Sequence, residues 1–183
     1  ELAEGAKITV FGRGSGTQPG DGLAVIEAQG LTISGRQIDA DQKKGSFWID
    51  GGGQATMVVD GEMFGQAQGD PVPVTLTWQR RLHGEGQRIV AEGRVQVVGK
   101  ESLMQAERAI ATLTRPISAA REPTAKVEIA QVGLEGNVVI DFRAQDAAGQ
   151  QSHENLQLAS ISVNRLTGAI EGAGPGVLRS VRM

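Results

Sequence analysis

The chain has no cysteine, no tyrosine and only two histidines. The missing cysteine excludes disulfides, thiolate metal sites and a thiol nucleophile, and it fits either redox compartment. His83 and His153 are too few for a histidine-rich metal centre, so no metal and no cofactor is expected. Aromatic residues are 3% of the 183 positions, so the core must be assembled from Val, Ile, Leu and Ala. The net charge is −3 with both signs interspersed, and no basic block offers a footprint for nucleic acid. No run approaches the roughly 18–20 apolar residues that cross a bilayer. The chain opens on Glu1 rather than Met, which gives the expectation that a leader has been removed.

Glycine is what the chain has in excess. Its 26 residues are about twice the usual share of roughly 7%. Without a collagen period, that share points to turns and bulges. Between the glycines the dominant period is two. Ile89, Ala91, Val95 and Val97 alternate with Glu92, Arg94 and Gln96. Val72, Val74, Leu76 and Trp78 repeat the pattern against Thr75, Thr77 and Gln79. Val138, Ile140 and Phe142 do so against Asn137, Asp141 and Arg143, and Leu31 with Ile33 is a shorter case. Such runs predict antiparallel strands with one buried and one wet face. Glu101 to Leu113 is compatible with a helix by composition, and strand is preferred there because strands flank it. Ser118 to Lys126 reads as a surface connection, and residues 144–155 read as a long polar hairpin loop.

Two features recur along the chain. Asp41 to Gly45 and Asn164 to Gly168 each follow a strand, and each leads through a second strand into a glycine cluster. Gly30, Gly93 and Gly136 each follow a Gln or Glu and open an alternating run. Glycine early in a strand signals a bend, so these units predict one long twisted sheet system with repeated corners.

The phrase Ile89-Val90-Ala91-Glu92-Gly93-Arg94-Val95-Gln96-Val97, followed by Met104-Gln105-Ala106-Glu107-Arg108-Ala109, resembles the repeat of OstA-like proteins, periplasmic components of lipopolysaccharide transport. The Asp41 and Asn164 turns resemble the hairpins of the same family. The resemblance covers about Ile26 to Met183. It implies an all-β fold: a twisted, partly open β-jellyroll of two facing antiparallel sheets, forming one domain over residues 1–183 that belongs to a longer chain. It also implies a periplasmic or cell-envelope location, an amphipathic lipid such as lipopolysaccharide in an apolar groove, and head-to-tail self-association or pairing with related jellyroll domains. The chain departs from the family in having no tyrosine and in the polar stretch from Gln145 to Asn155.

Strand parity selects the lipid-groove candidates Leu31, Ile33, Trp48, Val74, Leu76, Trp78, Ile89, Ala91, Val95, Val97, Val138, Ile140 and Phe142. Trp48 and Trp78 are expected to anchor the packing. The same alternation would serve a closed, dry core, so a structural module that assembles through exposed edge strands is the competing expectation. Catalytic readings are weaker. Asp39, Asp41 and Asp50 read as a solvated strand face and a turn. Gly51-Gly52-Gly53 lacks the following helix of a phosphate loop. His83 and His153 read as exposed loop residues away from any nucleophile, and Arg80-Arg81 reads as surface charge. A glycan hydrolase would need two carboxylates converging across the groove. The expectation is a protein without enzymatic activity.

Overall fold

The computed structural model describes residues 7–10, 24–28, 31–41, 45–60, 71–116, 128–145 and 150–182. These residues form strands β1 (Lys7–Val10), β2 (Ala24–Ala28), β3 (Leu31–Gly35), β4 (Asp39–Asp41), β5 (Ser46–Asp50), β6 (Gly53–Asp60) and β7 (Pro71–Trp78). They continue with β8 (Arg81–Glu85), β9 (Arg88–Val98), β10 (Ser102–Leu113), β11 (Ile129–Gln145), β12 (Gln151–Asn164), β13 (Ile170–Ala173) and β14 (Val177–Arg182). No helix occurs among the described residues. All fourteen strands belong to one antiparallel sheet. Its path runs from β1 to β13 without joining its ends, so the sheet is open.

A corner divides each long strand. β3–β4, β5–β6 and β7–β8 are halves of bent strands, because β7 pairs with the C-terminal part of β9 and β8 with its N-terminal part. The same break appears as a register shift between Ala106 and Arg108 on β10 and between Glu135 and Val138 on β11. The corners adjoin across the sheet. The Gly51 N–H donates to the Arg80 carbonyl at 2.8 Å, and the Gln79 N–H to the Gly93 carbonyl at 2.7 Å.

Glycine is required at this row. Gly93 and Gly136 have φ of 84° and 77° and are followed by Arg94 at 45° and Asn137 at 50°. Two consecutive left-handed residues turn the strand sharply, and a β-carbon on the first is strained. Space also forbids one, since a Cβ at 93 would stand 2.7 Å from the Arg80 Cβ, and one at 136 would stand 2.9 Å from that of Glu107. The sequence expectation of bends at these two glycines is met, while Gly30 lies outside the described residues.

Residues from both sides of the corner row share buried clusters, so the sheet is folded along that row into two leaves. Ile33, Ala55 and Trp78 from the first leaf meet Ile49, Leu82 and Ala91 from the second. Farther along, Val138 and Ala106 meet Leu134. Trp78 is 2% exposed and its indole N–H donates to the Gly51 carbonyl at 3.0 Å, which ties two corners together.

The two hairpin turns lie at the rim of the second leaf. Gly45 and Gly168 have φ of 61° and 72°. Asn164 Oδ1 accepts from the Leu166 and Thr167 N–H groups at 3.0 and 3.1 Å, the Asx geometry expected of the turn. Residues 42–44 lie outside the described ones.

Two expectations need correction. Of the stretch 144–155, residues 144–145 and 151–155 are strand, paired out to Gln145 and Gln151, and 146–149 lie outside the described residues. Its polar residues include an outward network in which Asp141 accepts from Asn155 at 2.7 Å and sits 3.4 Å from His153, and surface polarity mimicked a loop. His83 and His153 accordingly lie in β8 and β12, not in loops. Glu101 to Leu113 contributes strand β10, as preferred. The connection expected at Ser118 to Lys126 falls outside the described residues.

Candidate functional site: an apolar cleft between the leaves

Register places a continuous apolar row on the inner face of each leaf. In the first leaf Ile33, Ala55, Leu76, Val97, Met104, Ile140, Leu156 and Leu178 are successive cross-strand neighbours. In the second, the row is Ile49, Leu82, Ala91, Ala109, Leu134 and Ile161. One row farther from the corner, Ile89, Ala111, Val132 and Val163 repeat it. The side-chain period of two puts every one of these on the same side of its strand.

The rows are filled next to the corner and loosen away from it. Ile49, Val95 and Val138 are almost fully buried. Between the middle rows lies an apolar cavity of about 150 Å³. Met57 and Val74 stand on the first leaf's side of it, and Ile129 and Arg165 at the rim of the second. The Arg165 backbone N–H is held by the Ala130 carbonyl at 2.8 Å, which fixes the turn that carries this guanidinium.

Of the candidates drawn from the sequence, Val74, Leu76, Ile89, Ala91, Val97 and Ile140 line this cavity. Ile33, Trp78 and Val95 are packed into the first buried cluster with Leu31 against it, and Val138 belongs to the second. Phe142 is half-buried, two residues beyond Ile140 on the same face. Trp48 is the exception. It lies between Phe47 and Ile49, which both pack inward, so its side chain is on the outer face and 38% exposed. It cannot line the cleft or anchor the core; parity was misassigned because three large apolar residues in a row hide the alternation.

Sequence reasoning missed Leu82, Met104, Ala109, Leu134 and Ile161, which also line the cavity. Ile161 carried a usable signal, since Ile161 and Val163 alternate with Ser160 and Ser162. Leu82 carried little, flanked by Arg80-Arg81 and His83.

The outer face of the second leaf bears a ladder of alternating charge. Asp50, Arg81, Glu92, Arg108 and Glu135 follow one another in register. Arg81 bonds Asp50, and Arg108 stands 3.7 Å from Glu92 and 3.4 Å from Glu135. This ladder absorbs Asp50 and Arg81, and Arg80 pairs with Glu92 at 3.2 Å. Asp39 accepts from Gln37 at 2.9 Å on the β4 edge. Among the described residues, no three His, Asp or Glu side chains converge as a metal site. Compared with known proteins, the sequence matches no family model and no curated protein.

Proposed function

We propose that the cleft binds the acyl part of an amphipathic lipid of the lipopolysaccharide kind, in a partly open β-jellyroll that acts in the periplasm or cell envelope without catalysing a reaction. The observation that carries this reading is the cavity between the leaves, apolar along its walls, with Arg165 at its rim. Burial of an acyl chain would contribute roughly 0.8 kcal/mol per methylene. A cavity near 150 Å³ holds a guest about the size of benzene, so a longer chain would follow the mouth between the leaves. Arg165 would then meet an anionic headgroup.

The test is native mass spectrometry for co-purified lipid, together with displacement of a fluorescent fatty acid. Ala111→Phe fills the cavity from the second leaf and is expected to weaken the fatty acid at least about tenfold, with a smaller effect on stability. Absence of lipid, of probe binding and of any thermal shift with long-chain amphiphiles would sink the proposal.

A second reading is favoured by the far edge. Ile170, Val177, Leu178 and Val181 are between 50% and 69% exposed. β13 and β14 pair only with β12, which leaves a sheet edge open among the described residues. That edge would accept a strand from a second copy or a related jellyroll domain, burying the apolar side chains head to tail. Light scattering that shows concentration-dependent oligomers, without lipid binding, would select this reading over the first.

A further inference from the structure

One polar side chain interrupts the apolar inner face. Period two along β10 puts Ser102, Met104 and Ala106 on the same side of the strand. Met104 lines the cavity and Ala106 belongs to the second buried cluster, so Ser102 faces inward with them. It is 8% exposed, and among the described residues it is the one polar side chain that is buried. Its Oγ has no hydrogen-bond partner there. Two other buried polar atoms lack partners, His83 Nδ1 and Arg108 Nε, but both belong to partly exposed side chains on the outer face.

The row that holds Ser102 is a wall of the cleft. Met57 and Val74 are register partners and both line the cavity. The row passes from Val74 to Gly99, whose N–H donates to the Ser102 carbonyl at 2.9 Å, and on from Ser102 to its partner Phe142. The bond that closes the β9–β10 turn thus uses the Ser102 carbonyl and leaves the hydroxyl idle. An unpaired buried hydroxyl opposes folding, and an apolar residue would keep the alternation without that cost. A hydrogen-bonding group brought by a ligand removes it. Phe142 is half-buried and directly opposite Ser102 on the same face, with β-carbons about 5 Å apart at usual cross-strand spacing. A chain lying along Met104 and Ile140 therefore reaches the hydroxyl by displacing that ring.

We propose that the cleft selects an acyl chain with a hydroxyl close to its head group, and that this hydroxyl exchanges hydrogen bonds with Ser102 Oγ. The inference rests on the lipid reading and narrows it to one class of chain. Arg165 continues the inward alternation of Ile161 and Val163 to the rim of the second leaf. A chain entering with its head group at that rim passes the Ser102 row before it reaches the Met104 row. A hydroxyl near the methyl end would lie among Ala91, Ala109 and Leu134, where no side chain can pair with it.

The experiment measures how well stearic, 3-hydroxystearic and 12-hydroxystearic acids displace a fluorescent fatty acid from the whole chain. The 3-hydroxy acid is expected to compete about three- to tenfold better than stearic acid, and the 12-hydroxy acid no better than stearic acid. Ser102→Ala should reduce the preference for the 3-hydroxy acid to less than about twofold, and Ser102→Thr, which keeps the hydroxyl, should retain it. Without lipid, the thermal midpoint of Ser102→Ala should be unchanged or higher, because an unpaired group has been removed. A lower midpoint would show that the hydroxyl is already paired within the protein, and would overturn the proposal. So would a preference that survives in Ser102→Ala, or an equal gain from the 12-hydroxy acid. Displacement by stearic acid with no gain from the 3-hydroxyl overturns this proposal alone, whereas no displacement by any of the three acids overturns the lipid reading and this proposal with it.

Discussion

The leaves meet over β5 to β9 and part beyond β12, although both regions use the same strand pattern. Around β5 to β9 the inward positions beside the corner row are answered from the other leaf: Ile49 and Leu82 are at most 2% exposed, as are Trp78, Ala91 and Val95. Along β13 and β14 the inward rows continue with Ile170 and Leu178, yet these are 69% and 65% exposed. Alternation therefore defines a face, and only cross-leaf filling makes it a core. The cavity lies where filling gives way, so an apolar cleft and a hydrophobic core can share one register.

The largest effect that tests this contrast is truncation of one residue from each region. Ile49→Ala should destabilise by about 2–5 kcal/mol in urea unfolding, since it removes packing on both leaves. Leu178→Ala should stay within about 0.5 kcal/mol. Equal losses would mean that the far edge is packed in solution, which is what the self-association reading requires.

The corners are the next test. Gly93→Ala combines a left-handed φ with the approach of the Arg80 Cβ, and should cost about 1–3 kcal/mol. Gly86 has φ of 57° but nothing within 4 Å of a Cβ, so Gly86→Ala should fall near the low end, about 1 kcal/mol, in the same urea assay. A Gly86 penalty as large as that at Gly93 would show that backbone strain alone sets the corner and that contact across it is incidental.

The strand pattern, the bends at Gly93 and Gly136 and the inward parity of Val74, Ile89 and Ile140 were all legible in the sequence, because each is a local consequence of period two or of glycine. Trp48 was not, since Phe47, Trp48 and Ile49 are all large and apolar and only burial of its neighbours fixes the face. Leu134 and Ala109 were not assigned because the cavity is a product of which strands face each other across the fold. That pairing is non-local.

The smallest effect concerns the charged ladder, and it decides what holds the filled region together. The ladder runs from Asp50 to Glu135, and the same row continues as Ser160 and Ala173, so charge and filling fade at the same strands. Coincidence of the two would make ion pairing a rival explanation for the closure. Exposure argues against it, because the Arg81 and Asp50 side chains are 51% and 58% exposed and such pairs contribute at most about 1 kcal/mol. Arg81→Ala should therefore shift urea stability by less than about 0.5 kcal/mol. Arg108 lies between Glu92 and Glu135 and is 38% exposed, so its removal leaves two carboxylates without their shared cation. Arg108→Ala should cost somewhat more, up to about 1 kcal/mol, and the difference between the two variants should shrink in high salt. A loss at Arg108 matching that at Ile49, insensitive to salt, would assign the closure to the ladder; a small, salt-sensitive loss leaves it with the apolar rows.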